Sequence, residues 1–264
     1  MQVANPADWI IERLERRTPV FCTRINDGEM IQMFRTEPEG KELGTVANKA
    51  WCHWELGDAY RRMLDELTGL PDDAKANVLV GHCCHDDPYH ELNRLFWDEY
   101  GDELEGCDEC HLDGVSQAKG HWPLEGVVDG STIRLLEWLG QSGKAVVLVT
   151  CDSLKDAAKC LDYAPVILSP EEDSWTHRDS IKLAGEFFAG EGFTFVWCAG
   201  AGLKPTAWQL WREFPQSSHI DLGHLFNGAF GMTDYGWLQR RDGPWWEPYM
   251  RAGGFKDWVR GFLP

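Results

Sequence analysis

The chain has 264 residues, 43% hydrophobic and 26% charged, and its 25 basic against 43 acidic side chains leave a formal net charge of -18 and a pI near 4.8. The composition fits an ordinary soluble globular protein, the length allows one large α/β domain or two small ones, and the charge argues against holding polyanions on a broad basic surface, though not in a local groove. No apolar run approaches the roughly 20 residues of a membrane span, and Met1 to Asp8 lacks both the charged start and the apolar stretch of a signal peptide, so a cytoplasmic location is expected.

Pro6 to Arg17 has the spacing of an amphipathic helix, with Trp9, Ile10 and Leu14 on its apolar side. Pro19 to Cys22 is a short apolar run that predicts a buried strand. It opens through Thr23-Arg24-Ile25-Asn26-Asp27-Gly28-Glu29 into Met30, Ile31, Met33 and Phe34 at helical spacing. Glu37 to Gly44 is a polar loop, and Asn48 to Thr68 is mostly helical in pattern, stopped by Gly69 and Pro71. Asn77 to Gly81 predicts a strand and Pro88 to Tyr100 a helix, while Cys107 to Val115 has no clear pattern. A helix from Val127 or Asp129 to Leu139 ends at Gly140, and Lys144 to Thr150 is the plainest strand of the chain. A short helix (Ser153 to Leu161), a strand (Pro165 to Leu168), a helix (Ser174 to Gly190) and a strand (Phe193 to Cys198) follow. The last elements are a helix from Lys204 to Phe214 and a strand from Ser218 to Leu222. Strands alternating with helices predict a mostly parallel sheet with helices on both faces, a single Rossmann-like domain over 1–264 with the Trp-rich segment 232–264 packed on it.

Three stretches carry candidate chemistry. In the first, Asp27 and Glu29 flank Gly28 where a strand turns into a helix. Two carboxylates so spaced can face one hard cation bridging to phosphates, or can simply favour the dipole of the helix they open. In the second, Ala199-Gly200-Ala201-Gly202 precedes Lys204 and a helix. Small residues there let a backbone approach a phosphate, or only allow close helix–strand packing. In the third, Asp221 and His224 stand at the C-terminal end of a strand, where open α/β sheets place ligands.

Arg24-Ile25-Asn26-Asp27-Gly28-Glu29 resembles the R-[FY]-G-D-G-E motif of the GT-D type glycosyltransferases. It matches at Arg24, Asp27, Gly28 and Glu29 and departs at Ile25 and Asn26. The small-residue turn before Lys204 and the Asp221-Leu222-Gly223-His224 run resemble the C-terminal part of the same family, in the same order along the chain. The resemblance implies a sugar nucleotide, by default UDP-glucose, lying across these loops. Asp27 and Glu29 would hold a divalent metal (manganese or magnesium) and the diphosphate, and Arg24, Gly28, Gly200, Gly202 and Lys204 would line the donor site. Asp221 and His224 are the further catalytic candidates, with Asp152 and Asp86 as other possible bases. The implied acceptor is a glycan or a hydroxymethylated base in DNA. A phosphohydrolase and a non-catalytic nucleotide-sugar or nucleic-acid binding module are the competing readings.

Two further sets stand apart. Cys107-Asp108-Glu109-Cys110-His111, with His82, Cys83, Cys84 and His85 upstream, has the side chains for a structural zinc, but with one C-x-x-C reduced thiols are the expected state. His121, before Trp122-Pro123, is a candidate acceptor-facing residue or ordinary surface. The tail residues Trp237, Trp245, Trp246, Tyr249 and Trp258, interleaved with Arg240, Arg241 and Arg251, could stack a base or sugar or wrap the core.

Overall fold

The computed structural model describes residues 1–34, 53–82, 95, 99, 112, 114–141, 143–171, 173–230 and 254–263, apart from the side chains of residues 27 and 31. Its centre is one sheet of seven parallel strands: β1 (Phe21–Ile25), β2 (Val78–His82), β3 (Ser116–Lys119), β4 (Val146–Cys151), β5 (Val166–Ser169), β6 (Thr194–Cys198) and β7 (Ser218–Asp221). Their order in space is β3-β2-β1-β7-β6-β4-β5. The chain thus builds one half outward from β1, crosses the sheet, and returns through β6 to lay β7 beside β1.

Both faces of the central strands are buried, which is why β2, β4 and β6 read as continuous apolar runs rather than alternating ones. Phe21, Val78, Val80, Val147, Val149 and Phe195 point to one face. It is covered by α2 (Asp27–Phe34), α3 (Trp54–Thr68), α7 (Arg178–Gly190) and α8 (Lys204–Glu213). Cys22, Leu79, Leu148, Val196 and Ile220 point to the other, under α1 (Pro6–Glu15), α5 (Trp122–Val128), α6 (Ser131–Leu139) and α9 (Phe255–Arg260). A short helix, α4 (Asp72–Lys75), leads into β2. The longest cover, α3, buries Leu56, Tyr60, Met63, Leu64 and Leu67 along one stripe; each such leucine or methionine contributes about 1.5–3 kcal/mol of transfer free energy.

Several elements differ from the sequence expectation. β1 runs on through Thr23, Arg24 and Ile25, because Thr23 and Arg24 are buried rather than turned out to water. Asp27, Gly28 and Glu29 therefore form the first turn of α2 itself, with Asn26 just before it. β3 had no sequence signal: Ser116-Gln117-Ala118-Lys119 is neither apolar nor β-branched, yet Gln117 is fully buried. Of the two starts expected for the helix ending at Leu139, the structure agrees with the later: the helix begins at Ser131 after Gly130, which takes φ +80°, and Val127 and Val128 close a separate helix from Trp122. The segments Asp152–Leu161 and Ser174–His177 are 3₁₀-helical. The expected loop 37–44 and the helix 88–100 apart from Leu95 and Glu99 lie outside the described residues, as do most of the tail's aromatics and Arg240, Arg241 and Arg251. Within the described part of the tail, Phe255 and Val259 are buried. The Phe255 ring lies 5.8 Å from that of Phe226, and Trp258 Nε1 donates to Glu137 at 3.2 Å.

Among the described residues no helix is long and apolar enough to cross a membrane.

Candidate functional site

The C-terminal ends of β1 and β7 meet at the middle of the sheet, and the turn after β6 lies beside them. Four charged side chains from these elements converge there, each at most 6% exposed: Arg24, Glu29, Lys204 and Asp221. Arg24 Nε and Nη2 donate to the two oxygens of Asp221, both at 3.3 Å, and Nη1 donates to the Gly120 carbonyl at 3.2 Å. Lys204, the first residue of α8, places Nζ 2.5 Å from Glu29 Oε1 and 3.1 Å from Asp221 Oδ2, and donates to the Arg24 carbonyl at 2.5 Å. The cluster joins residues nearly 200 positions apart and is neutral as a unit.

Burial alone would raise the Asp221 carboxyl, but the charges of Arg24 and Lys204 and their hydrogen bonds outweigh it and hold its pKa below the ordinary value. Burial likewise works to lower the Arg24 guanidinium, and the charges of Asp221 and Glu29 reverse that. Tyr60 of α3, whose hydroxyl donates to the Ala201 carbonyl, is pushed well up by burial and then by Glu29 and Asp221. His224 follows β7 and pairs through Nδ1 with Asn227 at 3.2 Å. Its pKa is pushed down to about 4, by burial first and then by the nearby charges of Arg24 and Lys204. Between Asp221 and His224, Gly223 sits at φ +54°, and a β-carbon there would fall on the Arg24 guanidinium. Only glycine meets both conditions.

Glu29 has a second task. Its Oε2 accepts from the Asn26 backbone N–H at 2.8 Å, the reach-back half of a capping box that satisfies one of the donors at the start of α2. Gly28 stands in open space, and so does Gly200, at φ +74° and ψ -175°. Gly202 packs closely, its would-be β-carbon 2.5 Å from Ser174 Oγ. A small cavity lies against the cluster, lined in part by Thr23, Gly200, Lys204 and Asp221. Thr23 Oγ1 is buried there with no hydrogen-bond partner among the described residues.

The other candidates fall elsewhere. Asp152 is exposed and paired with Lys155 at 3.0 Å. His121 precedes α5. Of the Cys/His set only His82 is described, at the end of β2, where its ring meets Gln117 at 3.2 Å; Asp86 and the cysteines 83, 84, 107 and 110 lie outside the described residues. Free, buried Cys22, Cys151, Cys160 and Cys198 pack as small core residues.

A divalent metal does not fit the described side chains as arranged. Both Glu29 oxygens are engaged by Lys204 and the Asn26 N–H, Asp221 is held by two cations, and among the described residues no three His, Cys, Asp or Glu side chains converge. The Asp27 carboxylate lies outside the described part.

Sequence reasoning did not reach Gly120, Gln32, His53, Tyr60 or Asp173, all of which border this region. A lone histidine before a helix and one acid in the run Glu171-Glu172-Asp173 carry no local signal.

No protein-family model matches the chain, and no curated protein matches its sequence. Two solved structures share its architecture. One, described as a new glycosyltransferase (DUF1792) from Streptococcus sanguinis, matches with a TM-score of 0.50 and 14% identity over 90% of this chain and 84% of that one. The other is described as showing that the highly conserved domain of unknown function 1792 has a distinct glycosyltransferase fold. It matches with a TM-score of 0.50 and 14% identity over 90% of this chain and 80% of that one. The chain has that fold, the one its motif resemblance implies.

Proposed function

We propose that this protein is a glycosyltransferase that moves a hexose from a nucleoside-diphosphate sugar, by default UDP-glucose, to an acceptor hydroxyl. The observation that carries the reading is the convergence of three distant motifs on one spot. Arg24 and Glu29, the Gly200–Gly202 turn with Lys204, and Asp221 all meet at the strand ends of a fold shared with a described glycosyltransferase.

The chemistry follows from what the chain offers there. The first turns of α2 and α8 bring the positive ends of two helix dipoles to this spot, the environment a diphosphate seeks. Gly28 and Gly200 leave open space for phosphate oxygens to approach the backbone. The buried ion cluster fixes these two helix ends against β1 and β7, so the cradle is rigid before the donor arrives. A divalent metal, when bound, would add neutralising charge at the leaving diphosphate; Asp27 is the residue to hold it, since Glu29 is already committed. The net charge of -18 favours a glycan hydroxyl over hydroxymethylated DNA as acceptor.

The test is release of nucleoside diphosphate from a panel of nucleoside-diphosphate sugars, with manganese or with a chelator, by wild type and Asp27→Asn. Turnover of one donor, reduced at least about 100-fold in the variant, is expected. Release of inorganic phosphate instead would make the protein a phosphohydrolase. Absence of both turnover and a donor-induced thermal shift would sink the reading.

A further inference from the structure

A second constellation borders the same region. His53, immediately before α3, places Nε2 2.5 Å from Asp173 Oδ1, and Asp173 lies on the segment between β5 and α7. The two are 120 positions apart. Their side chains are 25% and 30% exposed, neither sealed in the core nor free on the surface.

Both partners are held from behind. The His53 backbone N–H donates to Gln32 Oε1 at 3.1 Å. Gln32 sits on α2 three residues beyond Glu29, about 4.5 Å along the helix axis. The Asp173 carbonyl accepts from Thr176 N at 3.3 Å and Thr176 Oγ1 at 2.9 Å. Asp173 itself adopts φ +53° and ψ +46°, a left-handed conformation that costs an L-residue free energy and is kept where the surroundings enforce it. The next residue, Ser174, is the one Gly202 packs against, and Tyr60, two turns along α3 from His53, donates to the Ala201 carbonyl. The pair therefore flanks the Gly200–Gly202 turn on one side and the first turns of α2 on the other.

When Nε2–H donates to the Asp173 carboxylate, the lone pair of a neutral imidazole is on Nδ1. Nδ1 has no hydrogen-bond partner among the described residues. A carboxylate that fixes the tautomer of a half-exposed histidine, leaving its other nitrogen to accept a proton, is the arrangement of a general base and its orienting acid.

The geometry points to His53 as the general base of the proposed transfer, with Asp173 as its positioning residue; this rests on the transferase reading. In the step, the acceptor oxygen bonds to the anomeric carbon and the bond from that carbon to the diphosphate oxygen breaks, its electron pair leaving on the phosphate. The acceptor proton passes to His53 Nδ1. Asp221 and His224 are not needed for this role: Asp221 is locked to Arg24 and Lys204, and His224 is paired with Asn227.

The experiment uses UDP-glucose, or whichever panel donor the wild type turns over, with water as acceptor. His53→Ala is expected to lose about 100-fold in kcat with KM and thermal midpoint nearly unchanged, and added imidazole to restore about a tenth of the wild-type rate or more. Nitrogen NMR of the His53 ring, read independently of turnover, is expected to show Nε2 protonated in the wild type and a loss of that preference in Asp173→Asn. An unchanged rate in His53→Ala, a loss that imidazole does not restore, or a ring protonated on Nδ1 would each reduce the pair to a latch between α3 and the segment after β5. A wild type that turns over no donor overturns the transferase reading and the base with it; a wild type that is active beside an equally active His53→Ala overturns the base alone.

Discussion

Two ion pairs in this molecule have similar chemistry and opposite weight. Arg16 and Glu12, one turn apart on the outside of α1, approach to 2.5 Å with side chains 71% and 54% exposed. Arg24 and Asp221, joined across the middle of the sheet, stand at 3.3 Å with side chains 8% and 7% exposed. The closer pair is the weaker one. In water the charges are screened and their partners replaceable, whereas at the strand ends each charge has lost its solvent and depends on the other three members of the cluster. Distance ranks these pairs wrongly; burial ranks them correctly.

The sharpest way to break that comparison is to remove one buried partner. Asp221→Ala leaves Arg24 and Lys204 facing each other without water. It is expected to lower the unfolding free energy by about 3–5 kcal/mol, read from the urea midpoint. Replacing Arg24 and Asp221 together by Met and Leu is expected to recover part of that loss, because no orphaned charge of this pair remains. A loss below 1 kcal/mol for Asp221→Ala would mean that water already reaches the cluster.

Acid sharpens the same contrast through two buried imidazoles. His219 stacks on Phe195 at 4.5 Å and accepts from Trp197 Nε1 at 3.1 Å, and burial pushes its pKa down to about 3. His224 is pushed down to about 4. Unfolded, both titrate near 6.5. Above that pH neither state binds the proton; below it the unfolded chain takes up protons that the folded chain refuses, so stability falls with pH. Between pH 7 and 5.5 the two together are expected to remove roughly 2.5 kcal/mol, and His224→Gln about half of it, measured as urea midpoints across that range. Asp221, whose pKa is lowered instead, adds its own loss only further down, below the ordinary carboxylate range. A flat profile from pH 7 to 5.5 would mean that these rings are hydrated.

What the sequence made legible follows from how local each signal is. β4 and β6 are apolar runs that announce themselves, and the glycines after β6 mark the turn into α8. β3 is silent because its buried Gln117 is stabilised by its strand neighbours and by the chain start at Met1, whose carbonyl accepts from the Gln117 N–H at 2.9 Å. Of the site, Arg24, Glu29, Lys204 and Asp221 could each be picked out as chemistry-bearing residues at element ends. Their mutual pairing could not, since nothing in a local window says that Lys204 would spend its ammonium on Glu29. His53 and Asp173 were invisible for the same reason, the contact being made across 120 residues by the docking of α3 over the sheet.

The smallest effect completes the ranking. Arg16→Ala removes the surface pair with Glu12 on α1 and leaves Glu12 in water, where its charge is solvated at no cost to the fold. The change in unfolding free energy is expected to stay below about 0.5 kcal/mol and to shrink further in added salt, because exposed charges are screened over about 10 Å at 0.1 M ionic strength. The same salt series on Asp221→Ala should leave its large loss almost untouched, since ions do not enter a site whose members are at most 6% exposed. Equal salt sensitivity in the two variants would place both pairs in the same dielectric surroundings, and the distinction drawn from burial would not hold.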